Sequence, residues 1–382
     1  MTTVRSAVGL LCLLLAGIAA VPGTASAQGT MLLGVVRGAN TLVLFSSANP
    51  SAIASSIPIT GLAEGEVIRA IDIRPANGVL YGLATPDMHT TQVRLYTINP
   101  ITGEARPVGG AVNVAIAGNF WGMSFNAVVD RVRVVNSPRA NARLHPDTGA
   151  LAANDTPLSI VGFTDAVAYD NQAAGAEQTT LYAIDGGTSR LLRIGGPGGN
   201  PSPNAGIATE IGDLGVPIDG NMPAALDWAP DGTFFTVLRV GGQAGLYTLN
   251  TTTGAASLVG VIGDGTLLID SVAVGNPGLV IAPASGIFSA QQRFDMVLLL
   301  NAPGRSIVNG SAIFDGVNVT GYIVSCATFG HTATGLTTIR CANFGGPLFG
   351  PGNHTFSVSL MLDTGEVVSA SVNWNVLIST EP

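Results

Sequence analysis

The chain has 382 residues, a formal net charge of −8 and only 10% charged residues, and its sixteen Lys and Arg positions are all Arg. A general nucleic-acid binder needs a basic surface to neutralise phosphates, so this balance argues against nucleic acid as the partner. Fifty Gly and 22 Pro suit turn-rich β structure, their combined share staying below the roughly 25–30% that marks low complexity.

Residues 1–27 read as an export signal. Arg5 supplies the positive start, Ala7 to Val21 is an uncharged apolar run that contains Cys12, and Ala25-Ser26-Ala27 is a small-residue cleavage site before Gln28. The run is short for a membrane span, and no later stretch reaches about 18 uncharged apolar residues. The expected mature chain is therefore exported, periplasmic or extracellular, with no transmembrane segment after signal removal. At about 355 residues it has room for one large array plus a smaller module.

Residues 28–275 carry a repeated small-large-small-large strand: Ala70-Ile71-Asp72-Ile73, Gly122-Met123-Ser124-Phe125, Ala166-Val167-Ala168-Tyr169, Ala225-Leu226-Asp227-Trp228 and Ser271-Val272-Ala273-Val274. Its return every roughly 44 to 59 residues marks one supersecondary unit copied around an array. After each of the first four copies come a second strand and a third; the first, second and fourth then reach a turn ending in Gly, as at Asn99 to Gly103 and Pro146 to Gly149, whereas the third carries a long Gly/Pro/Asn insertion from Gly196 to Gly206. Four short strands per unit define a β-propeller blade. The fifth copy has no hairpin after it, whereas Met31 to Val36, Thr41 to Ser46 and Ile53 to Thr60 are later strands without a first one. Joining the two chain ends completes a fifth blade and leaves fewer exposed edges. Six blades or an open solenoid are the alternatives.

Two side-chain sets carry candidate chemistry. Asp72 and Asp227 share the third position of the copied strand with Ser124, Ala168 and Ala273; on a common axis the two carboxylates could hold a metal ion, the other reading being backbone capping. Arg131, Arg133, Arg139 and Arg143 cluster with Asn136 and Asn141, and guanidinium forks suit an acidic ligand. The competing reading makes these Arg structural, paired between blades with Asp130 or Asp147. His89, His145, His331 and His354 are scattered, and no nucleophile elbow or phosphate loop occurs, so no cofactor is expected.

Residues 276–286, rich in Gly, Pro and Ala, read as a linker, and 287–382 as a second all-β module. Its strands are Phe294 to Leu300, Gly310 to Phe314, Val319 to Ser325, Thr337 to Ala342, His354 to Leu362 and Val367 to Leu377, the spacing of an immunoglobulin-like sandwich. Cys326 and Cys341 can form a disulfide in an exported chain, two free thiols being the alternative.

The segment Phe125-Asn126-Ala127-Val128-Val129-Asp130-Arg131-Val132-Arg133-Val134-Val135-Asn136, then Asn141 to Gly149 and Thr180 to Asp185, resembles the exported bacterial family catalogued as domain of unknown function 4394, over roughly residues 30–275. The resemblance implies a propeller-like exported domain with no assigned reaction. Gly350-Pro351-Gly352-Asn353-His354-Thr355, leading into a strand, is similar in style to bacterial immunoglobulin-like domains. The expected function is a non-enzymatic binding or structural module for an extracytoplasmic ligand or protein. The alternative is a propeller hydrolase or cyclase with an axial, metal-assisted site.

Overall fold

The computed structural model describes residues 29–86, 89–100, 102–160, 163–220, 222–274, 279–282, 286–289, 293–300, 307–321, 327–331, 337–345, 351–362 and 367–377. The expected export signal lies outside them. The regular secondary structure of the described residues is almost all β-strand. β1 (Met31–Val36), β2 (Thr41–Ser46) and β3 (Asn49–Pro58) form the first meander. The second sheet is β4 (Val67–Ile73), β5 (Leu80–Thr85), β6 (Thr90–Ile98) and β7 (Ala105–Gly118), and the third is β8 (Phe120–Asn126), β9 (Arg131–Ser137), β10 (Asn141–Leu144) and β11 (Leu151–Asn154). The fourth comprises β12 (Thr164–Tyr169), β13 (Leu181–Asp185), β14 (Arg190–Ile194) and β15 (Ala208–Asp213); the fifth comprises β16 (Ala225–Trp228), β17 (Phe234–Val240), β18 (Gln243–Leu249) and β19 (Ala256–Val261). β20 (Ile269–Val274) then pairs antiparallel with β1, Val272 opposite Gly34, so the first meander receives its fourth strand from the far end of the array.

Each copied strand is the first strand of its sheet, and β4, β8, β12, β16 and β20 each pack against the next, with β20 also against β4. Both faces of these strands are buried, which is why large apolar side chains recur on both sides and the few polar ones, such as Asp72 and Ser124, must find hydrogen-bond partners inside. The core is accordingly divided into wedges between neighbouring sheets. Ile68 and Ile71 meet Leu33 and Leu42 in one; Tyr81 and Leu83 meet Met123 and Phe125 in the next, the two rings 5.1 Å apart edge to face. Val135 meets Val167 and Tyr169 in a third, Ile184 meets Leu226 and Phe234 in a fourth, and Val237 meets Phe45 and Val272 in a fifth. Each such side chain contributes roughly 1.5–3 kcal/mol on burial.

Turn glycines tie the outer strands together. Gly103 and Gly149 have φ of 74° and 67°, and a Cβ there would come within 1.9 Å of the Pro58 carbonyl oxygen on β3 and 1.8 Å of the Val108 carbonyl oxygen on β7. Only glycine permits both the left-handed backbone and the close approach to the neighbouring sheet.

The first strand of each sheet has one unpaired edge, which presents amide N–H groups that must find acceptors. At the fourth position of the copied motif these are Ile73, Phe125, Tyr169, Trp228 and Val274. Three are capped by the third-position side chain of the preceding sheet: Phe125 N–H donates to Asp72 Oδ2 (2.7 Å), Tyr169 N–H to Ser124 Oγ (3.0 Å) and Val274 N–H to Asp227 Oδ2 (2.5 Å). Trp228 and Ile73 follow sheets that offer only Ala168 and Ala273. Their N–H groups donate instead to the strand's own aspartate, Asp227 Oδ1 (2.8 Å) and Asp72 Oδ1 (2.6 Å). The irregular series Asp, Ser, Ala, Asp, Ala thus supplies one acceptor per strand. Ser271 Oγ accepts Ile71 N–H (3.0 Å), and Gln172 Nε2 reaches Asp227 Oδ1 (3.3 Å) across the junction that has only Ala168.

The C-terminal region contains β21 (Leu279–Ala282), β22 (Gly286–Ser289), β23 (Arg293–Leu300), β24 (Ile307–Phe314), β25 (Val317–Asn318), β26 (Ala327–His331), β27 (Thr337–Gly345), β28 (Gly352–Leu362) and β29 (Val367–Leu377). They form two sheets, β21-β23-β27-β26 and β22-β29-β28-β24-β25, the latter with β22 parallel to β29. Two expectations need correction. β21 lies within the segment read as a linker, because Val280 and Ile281 pair with Leu299 and Leu298. The described part of the expected strand Val319 to Ser325 is not strand: Val319 N–H donates to the Ala312 carbonyl, and Thr320 Oγ1 accepts Ala312 N–H at 2.8 Å, folding the chain back on β24.

An unmade buried hydrogen bond costs about 1–3 kcal/mol. Ser124→Ala, which orphans one amide, should destabilise by about that amount, and Asp72→Ala, which orphans two, by roughly twice as much. Urea unfolding measures both; an Asp72→Ala protein as stable as the wild type would show that the amides have other acceptors.

Candidate functional site

β9 alternates its side chains, so Arg131 and Arg133 share a face, and the register with β10 sets Arg143 opposite Arg133. Arg133 is 2% exposed and donates to Asn141 Oδ1 (2.7 Å), Asp155 Oδ2 (2.6 Å), Asn204 Oδ1 (2.6 Å) and the Tyr169 hydroxyl (3.3 Å). Arg143 donates to both oxygens of Asp155, at 2.7 and 2.8 Å. Asn141 Nδ2 donates to the carbonyls of Thr156 (2.9 Å) and Pro203 (3.0 Å). Arg133 and Asn141 therefore bolt the third sheet to the loop preceding β15. The expected partners Asp130 and Asp147 are engaged elsewhere, both by Arg74 of the second sheet.

Asn136 sits on the opposite face of β9, donating to the Ile116 carbonyl (2.7 Å) and accepting Ala140 N–H (2.8 Å), and the exposed Arg139 stands in the β9–β10 turn. Both are outside the cluster. What remains is a cavity of about 320 Å³ between the third and fourth sheets, lined by Arg131, Arg133, Arg143, Tyr169, Glu177 and Asn204 among others. Arg131 differs from its neighbours: Nη1 donates only to the carbonyls of Val129 (3.3 Å) and Asp130 (2.8 Å), and among the described residues no carboxylate pairs with it. Val128 and Val129, 41% and 53% exposed, supply apolar surface at the same cavity. Asp155 and Asn204 belong to no motif, and the copied motif marks Tyr169 as a packing residue, not as part of this site. The available signal was the length of the 196–206 insertion, which carries Asn204 where the other sheets have tight turns.

Asp72 and Asp227 are 2% and 3% exposed. Burial first, and then the charge of Asp227, pushes the Asp72 carboxyl well above the ordinary range; burial pushes Asp227 up to about 7, against the backbone hydrogen bonds from Val274 and Trp228. Ser124 and Gln172 connect the two, Gln172 Nε2 lying 3.2 Å from Ser124 Oγ and 3.3 Å from Asp227 Oδ1. Among the described residues no group of three or more His, Cys, Asp or Glu is placed to hold a metal ion.

The chain belongs to the family described as Domain of unknown function (DUF4394), which matches residues 41–273. No curated relative matches it. Solved structures to which the chain is similar include the WD40 domain of Toxoplasma gondii coronin, 12% identical over 82% of this chain and 79% of that one, with a TM-score of 0.34. An extracellular domain from B. thetaiotaomicron is 10% identical over 92% of this chain and 58% of its own length, with a TM-score of 0.32. CopC from Methylosinus trichosporium OB3b is 14% identical over 27% of this chain and 96% of its own, with a TM-score of 0.19. Similarities of this size add nothing on function. No helix among the described residues is long and apolar enough to cross a membrane.

Raised carboxyl pKa values mean that the folded protein binds more protons than the unfolded chain between about pH 4 and 7, so stability falls as pH rises through that window. Each such proton contributes a slope of up to about 1.4 kcal/mol per pH unit. The denaturation midpoint should be higher at pH 5 than at pH 7.5, and Asp227→Asn should flatten the difference. An equal slope in the variant would place the titrating group elsewhere.

Proposed function

We propose that the protein is an exported, non-enzymatic binding module. In this reading the five sheets are the blades of a closed propeller that ends in an immunoglobulin-like sandwich, and the ligand sits in the cavity between the third and fourth blades. Closure is supported by the cyclic packing of the first strands and by β20 completing the sheet of β1. The sandwich is supported by two sheets whose buried side chains include Met296 and Leu298 on one and Phe356 and Val358 on the other. Export rests on the signal-like start of the sequence.

The observation that carries the binding role is the cavity itself. It is open to a ligand and holds Arg131, which has no ion pair among the described residues, while the clustered Arg133 and Arg143 are consumed by Asp155. Gln178 is exposed at its lining, so Gln178→Trp should fill the cavity without disturbing the sheets. Wild-type protein should bind members of a glycan and peptide array, the variant should lose them, and neither should turn over esters, lactones or glycans. Unchanged binding in the variant would remove the cavity from the reading.

The alternative, a hydrolase or cyclase with a metal at Asp72 and Asp227, draws on two mutually sensitive buried carboxylates. It requires a stoichiometric divalent ion that survives dialysis and disappears in Asp227→Asn, together with turnover lost in the same variant.

A disulfide between Cys326 and Cys341 also belongs to this proposal. Cys341 is buried and disulfide-bonded, and Ala327, next to Cys326, lies opposite it in register. The denatured protein should resist alkylation until reduced; immediate labelling of two thiols would overturn the pairing.

A further inference from the structure

The cavity between the third and fourth sheets has more specific chemistry than a general anion site. We infer that it takes the end of a glycan bearing a single carboxylate, a uronic-acid sugar, with the carboxylate on Arg131. This rests on the binding reading above.

The first argument is charge. The guanidinium groups of Arg131, Arg133 and Arg143 stand against the carboxylates of Glu177, in the lining, and Asp155, behind it. One positive charge is left over, in a chain whose net charge is −8. That matches one carboxylate rather than a dianionic phosphate. Arg131 is, among the described residues, the one of the three guanidinium groups that no carboxylate holds, and its planar fork can donate two parallel hydrogen bonds to a carboxylate.

The second argument is a surplus of donors. Asn126 Oδ1 accepts the N–H of Val128 (3.0 Å), and Asn204 Oδ1 accepts Arg133 (2.6 Å), which fixes the orientation of both amides. Their Nδ2 groups make no hydrogen bond to the described residues, nor do Arg131 Nε and Nη2 or Arg143 Nη1. A lining with so many uncommitted donors fits an acceptor-rich ligand, and a sugar ring supplies ether, hydroxyl and carboxylate oxygens together. The exposed Val128 and Val129 offer apolar contact for the C–H face of the ring. At about 320 Å³ the space is at the small end of the roughly 300–1,000 Å³ typical of ligand pockets, enough for one or two sugar units.

Titration calorimetry on the full chain with a galacturonate-ended disaccharide, a glucuronate-ended disaccharide, their methyl esters and cellobiose tests the inference. At least one acid should bind. Methyl esterification or Arg131→Gln should weaken that binding at least tenfold, and Arg139→Gln, outside the cavity, should leave it unchanged. Equal affinity for acid and ester, an unaffected Arg131→Gln protein, or no binding of either acid would overturn it. Neutral-sugar binding that Gln178→Trp abolishes would overturn this inference alone and leave the cavity reading standing; array binding indifferent to Gln178→Trp would remove that reading as well.

Discussion

The architecture depends on one requirement: the inner edge of every sheet carries amide N–H groups that no further strand can satisfy. An edge strand in solvent uses water for this purpose, but here the edges converge and are buried, so acceptors must come from the protein. Asp72 and Asp227 each serve two amides because a carboxylate has two oxygens, Ser124 serves one, and Ala168 and Ala273 are tolerated because an aspartate on the following strand covers the gap. The aspartates are costly to bury, which shows in their raised pKa values, and the packed first strands keep them because removing either would orphan two amides.

The same economy governs the arginines. A buried guanidinium cannot shed its charge and must be paired, and Asp155 holds two guanidinium groups at a seam between sheets. Arg74 does the converse, reaching from the second sheet to Asp130 and Asp147 in turns of the third. Charges in this region are thus mostly fasteners across seams, and Arg131 stands apart because its bonds go only to carbonyls of its own turn.

Much of the fold was legible because period-two alternation survives in any strand and the copied motif marks its own register. The first-strand role of Ala70 to Ile73 and its counterparts, and the union of β1 with β20, followed from that pattern alone. The site was less legible. Arg133 and Arg143 could be grouped through strand alternation, but Asp155, Tyr169 and Asn204 lie on other strands or loops, and no spacing rule links them. Asn136 was grouped with Arg133 by proximity in sequence, although three residues along a strand reverse the face. The split of the C-terminal strands between two sheets, with β22 parallel to β29, was equally hidden, since parallel pairing leaves no local turn to read.

The amino-acid sequence by itself determined strand periodicity, the five copies and the small residues at their first position, because these are local properties of an alternating backbone. Which acceptor meets which amide, and which arginine keeps its charge uncommitted, was decided only when residues about 200 apart, such as Ile71 and Ser271, came within hydrogen-bond reach. Hydrogen bonds and ion pairs are short-ranged and directional, so their partners exist only once the sheets have packed.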